Sequence, residues 1–142
     1  MVARCAAIVL LALLPGACAP SSPQDEPDRV MRTFCTLYFE KADLMAALPW
    51  VAGAARNVLL EEMRHLPVGA ATTPRPRVRW TVVRRQEMST TQAVRYRVEV
   101  RLSPLPGAAA DSVAWVLPFT LLLENTSGKG LPAWRVTAVD QG

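Results

Sequence analysis

Cysteine is scarce in this chain. Three occur in 142 residues, and two of them, Cys5 and Cys18, sit within the first eighteen. Beyond residue 18 only Cys35 remains, so the folded part can form no internal disulfide and must hold by its core alone. Histidine is scarcer still, with His65 alone. One histidine and one downstream cysteine do not make a zinc ligand set, so neither metal nor other cofactor is expected. The chain has no glycine-rich phosphate loop and no internal repeat, which removes nucleotide-binding motifs and solenoids. Lysine is nearly absent, with two against fourteen arginines. Nor is any apolar run long enough to cross a bilayer as a helix, which takes about 20 residues.

The longest apolar run is nevertheless informative. It covers the ten residues from Cys5 to Leu14, follows the single charge of Arg4, and gives way to Pro15-Gly16-Ala17. A charged start, a short apolar stretch and small residues are the layout of a secretory signal peptide. Leu14-Pro15-Gly16-Ala17-Cys18 resembles the lipobox of bacterial lipoproteins, with Leu14 one place early and Pro15 in its stead. The resemblance implies cleavage before Cys18 and acylation of its thiol, with residues 1–17 as the leader. The other exit is a small-x-small cleavage at Ala17-Cys18-Ala19, which would leave Pro20 first. Residues 18–27 contain prolines, acids and no large apolar side chain, and read as a disordered tether. Ala19, rather than Asp, after the cysteine implies by the same resemblance the periplasmic side of the outer membrane.

The folded part is then one domain, residues 28–142, large enough for a single core. Asp28 is a helix N-cap candidate, and Val30, Phe34, Leu37 and Tyr38 recur at helical spacing up to about Lys41. Asp43 caps a second short helix that Pro49 ends, and residues 54–66 make a third with Val58, Leu59 and Met63 on one side. After Pro76 the period changes to two. Val78, Trp80 and Val82 alternate, and Val94, Tyr96, Val98 and Val100 alternate with Arg95, Arg97, Glu99 and Arg101. These runs predict a hairpin with one face buried and one solvated. Val113 to Glu124 is apolar on both faces and reads as a central strand, with a bulge or edge at Pro118. Residues 134–139 close a four-stranded antiparallel sheet.

Helices followed by antiparallel strands make an α+β fold, with N-terminal helices packed on the sheet. That order, the stretch Lys41-Ala42-Asp43-Leu44 and the closing Trp134-Arg135-Val136 resemble the NTF2-like superfamily over residues 27–142. The resemblance implies a curved sheet that wraps a helix into a cone with an apolar pocket. Phe34, Tyr38, Trp80, Tyr96, Trp115 and Trp134 are the aromatics available either to line such a pocket for a small apolar ligand or to fill an ordinary core.

No catalytic set emerges. Glu61 and Glu62 fall on the polar side of the third helix, His65 stands at its end where it can meet a terminal carbonyl, and Cys35 reads as a small buried hydrophobe. Charge is more telling. Residues 75–101 hold eight arginines against Glu87 and Glu99, a net of +6. Residues 18–74 hold five basic and seven acidic groups, net −2, and residues 102–142 two and three, net −1. Arg95, Arg97 and Arg101 therefore mark a face suited to anionic lipid or an acidic envelope protein, or simply a solvated sheet face. Export removes nucleic acid from consideration. The expectation is a lipid-anchored binding or assembly module. A small-molecule isomerase or dehydratase using the cone, and a structural accessory of an envelope complex, are the alternatives.

Overall fold

The structure is a computed structural model that describes residues 26–66, 75–89, 91–105, 107–109, 113–127 and 133–142. Cys18, the leader and most of the tether lie outside the described residues, as do the prolines at 67 and 74. Helix α1 runs Pro27–Cys35 and continues as a π-helical turn, Thr36–Glu40. Helix α2 is Leu44–Ala47, followed by a 3₁₀ turn Leu48–Trp50, and α3 is Gly53–His65. Four strands follow: β1 Val78–Met88, β2 Ala93–Leu102, β3 Trp115–Asn125 and β4 Trp134–Gln141. They form one antiparallel sheet in the order β1-β2-β3-β4, with the helices on one face. The α+β class and the helices-then-sheet order are as expected.

Local chemistry explains the boundaries. Helix α1 starts a residue before the expected Asp28 cap. Pro27 suits the first helical position because its missing N–H would lack a partner there anyway. Asp28 thus lies in the first turn, where a carboxylate suits the helix dipole, and its side chain is released for other work. The helix widens when Lys41 N–H donates to Thr36 O (3.0 Å), and it stops as Ala42 turns left-handed at φ 49°. Asp43 caps α2 as expected, accepting from Ala46 N–H at 3.0 Å.

The core lies between the helices and one face of the sheet. Val30, Phe34 and Cys35 of α1 and Leu59 of α3 meet Tyr96, Val98, Leu121, Leu123 and Val136 there. All of these are fully or almost fully buried. Burial pushes the Cys35 thiol pKa well above its ordinary value, so it behaves as a hydrophobe. The third helix differs from its expected pattern. Ala55 and Leu59 are its buried residues, whereas Val58 is 41% exposed.

Two β-bulges interrupt the ladder, and neither is at Pro118. One lies between Val82 and Arg84 in β1, and the other is opposite Leu122 and Leu123 in the β3–β4 pairing. Pro118 sits inside β3 opposite Glu99 of β2. Its carbonyl accepts from Gly142 N–H (3.1 Å), so its nitrogen also points toward the end of β4 and away from β2. The missing donor therefore costs no bond to the β2 strand, which is why a proline fits a central strand without a bulge.

Candidate functional site

Strand alternation places Arg95, Arg97 and Arg101 on the sheet face away from the helices, and all three are exposed. The register adds partners from β1. Arg79 stands opposite Arg101, Arg84 opposite Arg97, and Gln86 opposite Arg95. Strict alternation from the inward Val82 would have pointed Arg84 inward. The bulge shifts the parity, so Arg84 and Gln86 join the outer face. Among the described residues, none of Arg79, Arg84, Arg95, Arg97 and Arg101 makes an ion pair. Two like-charged pairs therefore stand directly across from each other, an arrangement that costs stability in the absence of an anion. Toward β3 the same face turns neutral, with Pro118, Thr120 and Leu122 half-buried.

Arg84, Gln86, Arg95, Arg97 and Thr120 surround a shallow depression of about 190 Å³ on this face. Sequence reading singled out Arg95, Arg97 and Arg101 and missed Arg79, Arg84, Gln86 and Thr120. Arg79 alternates with Val78 and Trp80 and was open to the same reasoning. Arg84 was not, because only the bulge brings it round.

The same bulge sends Arg85 to the helix side, where it has a structural role. The Arg85 Nε–H donates to Asp28 Oδ1 (3.0 Å), its Nη1–H donates to Glu87 (2.8 Å), and its guanidinium lies 5.9 Å from the Tyr96 ring centre. The Tyr96 hydroxyl also donates to Asp28. That bond, and then Arg85, hold the Asp28 carboxyl below the usual carboxylate range, while burial pushes the Tyr96 hydroxyl up.

A second concavity, about 620 Å³, lies between the end of the π-helical turn, α2 and α3. Leu44, Val58 and Leu66 give it apolar walls, and Glu61, Glu62 and His65 add ionisable groups. The Tyr38 hydroxyl donates to Glu62 Oε1 at 2.6 Å. Burial, reinforced by that carboxylate, pushes the Tyr38 hydroxyl pKa far up, so it stays a proton donor. Glu61 accepts from Arg64 (3.0 Å) and meets His65 Nε2 (2.9 Å). His65 is thus engaged by a carboxylate one turn back, not by the terminal carbonyl that its position suggested. Glu62, read from sequence as solvent-facing, is half-buried against Tyr38.

The six aromatics do not share one cavity. Phe34 and Tyr96 are in the core, and Tyr38 lines the α2–α3 cleft and stacks on Phe34 at 5.1 Å. Trp134 borders a separate depression beside the β1–β2 turn. Trp80 is half-buried, with its Nε1–H enclosed and without a hydrogen-bond partner among the described residues. Trp115 is 72% exposed, next to the exposed Val113 and Val116.

Among the described residues no group of three His, Cys, Asp or Glu side chains could hold a metal ion. No described helix is long and apolar enough to cross a membrane. No protein-family model, no curated protein and no solved structure matches the chain.

Proposed function

We propose that this chain is an exported, lipid-anchored protein of the bacterial envelope. Its folded part, an NTF2-like domain, acts as a binding module that docks its arginine-bearing sheet face on the anionic lipid surface to which its own anchor holds it. The observation that carries this is the row of unpaired arginines on an exposed sheet face, gathered by a bulge and facing one another across two strands. Order of elements supports the NTF2-like reading, and the signal-like leader ending at Cys18 supports the anchor. Position supports the docking. Pro27 shares a depression with Met88, Thr91 and Gln92 of the turn that joins β1 to β2. The chain therefore joins the fold at the turn end of the hairpin that bears the arginines, on its helix side. The segment from Cys18 to Pro27, fully extended, reaches roughly 30 Å. A tether of that reach keeps the face at high local concentration near the surface.

Fractionation of cells tests both parts. The wild-type chain should sediment with membranes at any salt. The Cys18→Ser chain should sediment at low salt and be released at high salt, since exposed charges beyond a Debye length of about 8 Å at physiological ionic strength are screened. Reversing Arg95, Arg97 and Arg101 to Glu in that background should release it even at low salt. A Cys18→Ser chain that is fully soluble at every salt concentration would remove the docking half. An unmodified mature terminus at Pro20 by intact mass would remove the anchor.

The α2–α3 cleft favours a second reading, a small-molecule isomerase or dehydratase. A carboxylate and an imidazole line an apolar concavity beside a phenol kept protonated, the groups general acid–base chemistry needs. Apolar carbonyl probes that perturb the Tyr38 environment in the wild type but not in Glu62→Gln would support it. Absence of any such perturbation would leave the cleft a surface concavity.

A further inference from the structure

We infer that the depression among Arg84, Arg95 and Arg97 is a binding site for a phosphate monoester. This rests on the docking reading of the same face and gives that face a specific anchoring point. Arg84, Arg97 and Thr120 form one cross-strand row over β1, β2 and β3, and Gln86 and Arg95 form part of the next row. Neighbouring strands lie about 4.8 Å apart, so these five side chains converge within reach of one small anion. The opening, about 190 Å³, is the right scale for a phosphate group and excludes a bulky apolar ligand.

The chemistry of the rim selects the ligand. Three guanidinium forks present planar N–H pairs that match phosphate oxygens. Gln86 and Thr120 add neutral donors, one on each side of β2. A phosphate monoester is close to a dianion at neutral pH and carries three acceptor oxygens. A diester offers one charge and two free oxygens, and a carboxylate offers two. The acids that alternation places on this face around the depression are Glu99, two residues from Arg97 on β2, Glu124, two residues from Leu122 on β3, and Asp140, opposite Thr120 on β4. None makes an ion pair with the three arginines. The β1 bulge is the device that builds the site, since it alone turns Arg84 and Gln86 toward Arg95 and Arg97. Arg79 and Arg101 share the face and the same like-charge pairing but lie outside the depression. They are the internal control.

The experiment uses the exported full chain carrying Cys18→Ser, so that no acyl chain confuses the readout. Inorganic phosphate is titrated by ³¹P NMR and calorimetry. In a second arm, phosphatidylcholine vesicles containing either phosphatidic acid, a monoester, or phosphatidylglycerol, a diester, are matched for surface charge and co-sedimented with the chain. The double variant Arg84→Gln/Arg97→Gln should weaken monoester binding about tenfold or more through loss of charge-assisted bonds. The double variant Arg79→Gln/Arg101→Gln removes the same charge and should weaken retention on both anionic vesicles alike, while leaving free-phosphate binding and any preference for phosphatidic acid nearly unchanged. Both alter exposed side chains, and thermal melts matched to wild type keep the comparison on folded protein.

Binding of free phosphate identifies a soluble phosphate ester as the ligand source. Preference for phosphatidic acid without free-phosphate binding identifies a lipid headgroup. Either supports the site. Equal retention on both anionic vesicles, equally weakened by both double variants, overturns the site and leaves diffuse docking intact. Phosphate binding at Arg84 and Arg97 with no retention on any anionic vesicle overturns the docking reading and leaves the site. Absence of all binding overturns both.

Discussion

Asp28 ties together two parts of the chain that are far apart in sequence. Its carboxylate accepts from Tyr96 and Arg85, 68 and 57 residues away, and so pins the start of α1 to the β1–β2 hairpin. Its folded-state pKa is depressed, so this tie is present above the unfolded value of about 3.9 and is lost as pH falls through the lower folded value. Acid titration by circular dichroism should show wild type losing stability below about pH 4. Asp28→Asn should be less stable at neutral pH and flatter across that window. Identical acid curves would show that the tie carries no stability. Tyr96 and Tyr38 run the other way. Their raised values hold the phenols protonated, so the stability they lend is complete below about pH 10 and is lost as pH climbs beyond it. No local pattern in the sequence announces a 68-residue hydrogen bond, and alternation placed Tyr96 on the buried face without giving it a partner. Burial along β2 was legible, because alternation with arginine leaves one choice of face. Val98→Asp should cost about 3–5 kcal/mol by burying an unpaired charge. Arg97→Ala should stay within about 0.5 kcal/mol. Similar midpoints for the two in a denaturant titration would contradict the face assignment.

At the scale of elements, periodicity located every helix and strand to within a few residues and failed where period and packing part company. In α3 the stripe Val58, Leu59, Met63 looked like a core face. The helix instead presents Ala55 and Leu59 to the core and turns Val58 toward the α2–α3 cleft, where Glu62 joins it against Tyr38. Leu59→Ala should therefore cost about 2–5 kcal/mol, and Val58→Ala much less. Equal losses in chemical denaturation would restore the sequence-based face. The link between α1 and α2 carries a left-handed alanine, Ala42 at φ 49°. A left-handed L-residue costs roughly 1–2 kcal/mol, partly offset in the glycine variant by its larger unfolded-state entropy. Ala42→Gly should thus raise stability slightly, and a clear loss would mean that the turn is held another way. In β1 the bulge decides which arginines face outward. Period-two counting from Val78 assigns Arg84 to the core side, and only the cross-strand register with Arg97 reveals that it faces outward. Pro118 suggested a bulge or an edge, and of the two it is the end of β4 beside it, not a bulge, that accommodates the proline.

For the whole molecule, the chain divides its labour between two faces of one sheet. The helix face carries the apolar core together with the Asp28–Arg85–Tyr96 cluster. Of the charges in residues 75–101, the outer face takes Arg79, Arg84, Arg95, Arg97 and Arg101 against Glu99, on the hairpin whose turn lies nearest to Pro27, while the flanking regions are weakly acidic. That asymmetry was visible in the sequence as a count. Its arrangement into opposed, unpaired arginines was not, because pairing depends on register. Such a field acts over about a Debye length and falls steeply with salt. The most direct test of the account is therefore co-sedimentation of the purified Cys18→Ser chain with lipid vesicles of phosphatidylglycerol in phosphatidylcholine, across a salt series, against the same chain with Arg95, Arg97 and Arg101 reversed to Glu. The wild-type face should bind anionic vesicles, ignore pure phosphatidylcholine and dissociate as salt rises, and the reversed face should bind neither. Wild-type protein that leaves anionic vesicles untouched at low salt, or binds them no better than the charge-reversed chain, would contradict the proposal that this sheet face docks on anionic lipid.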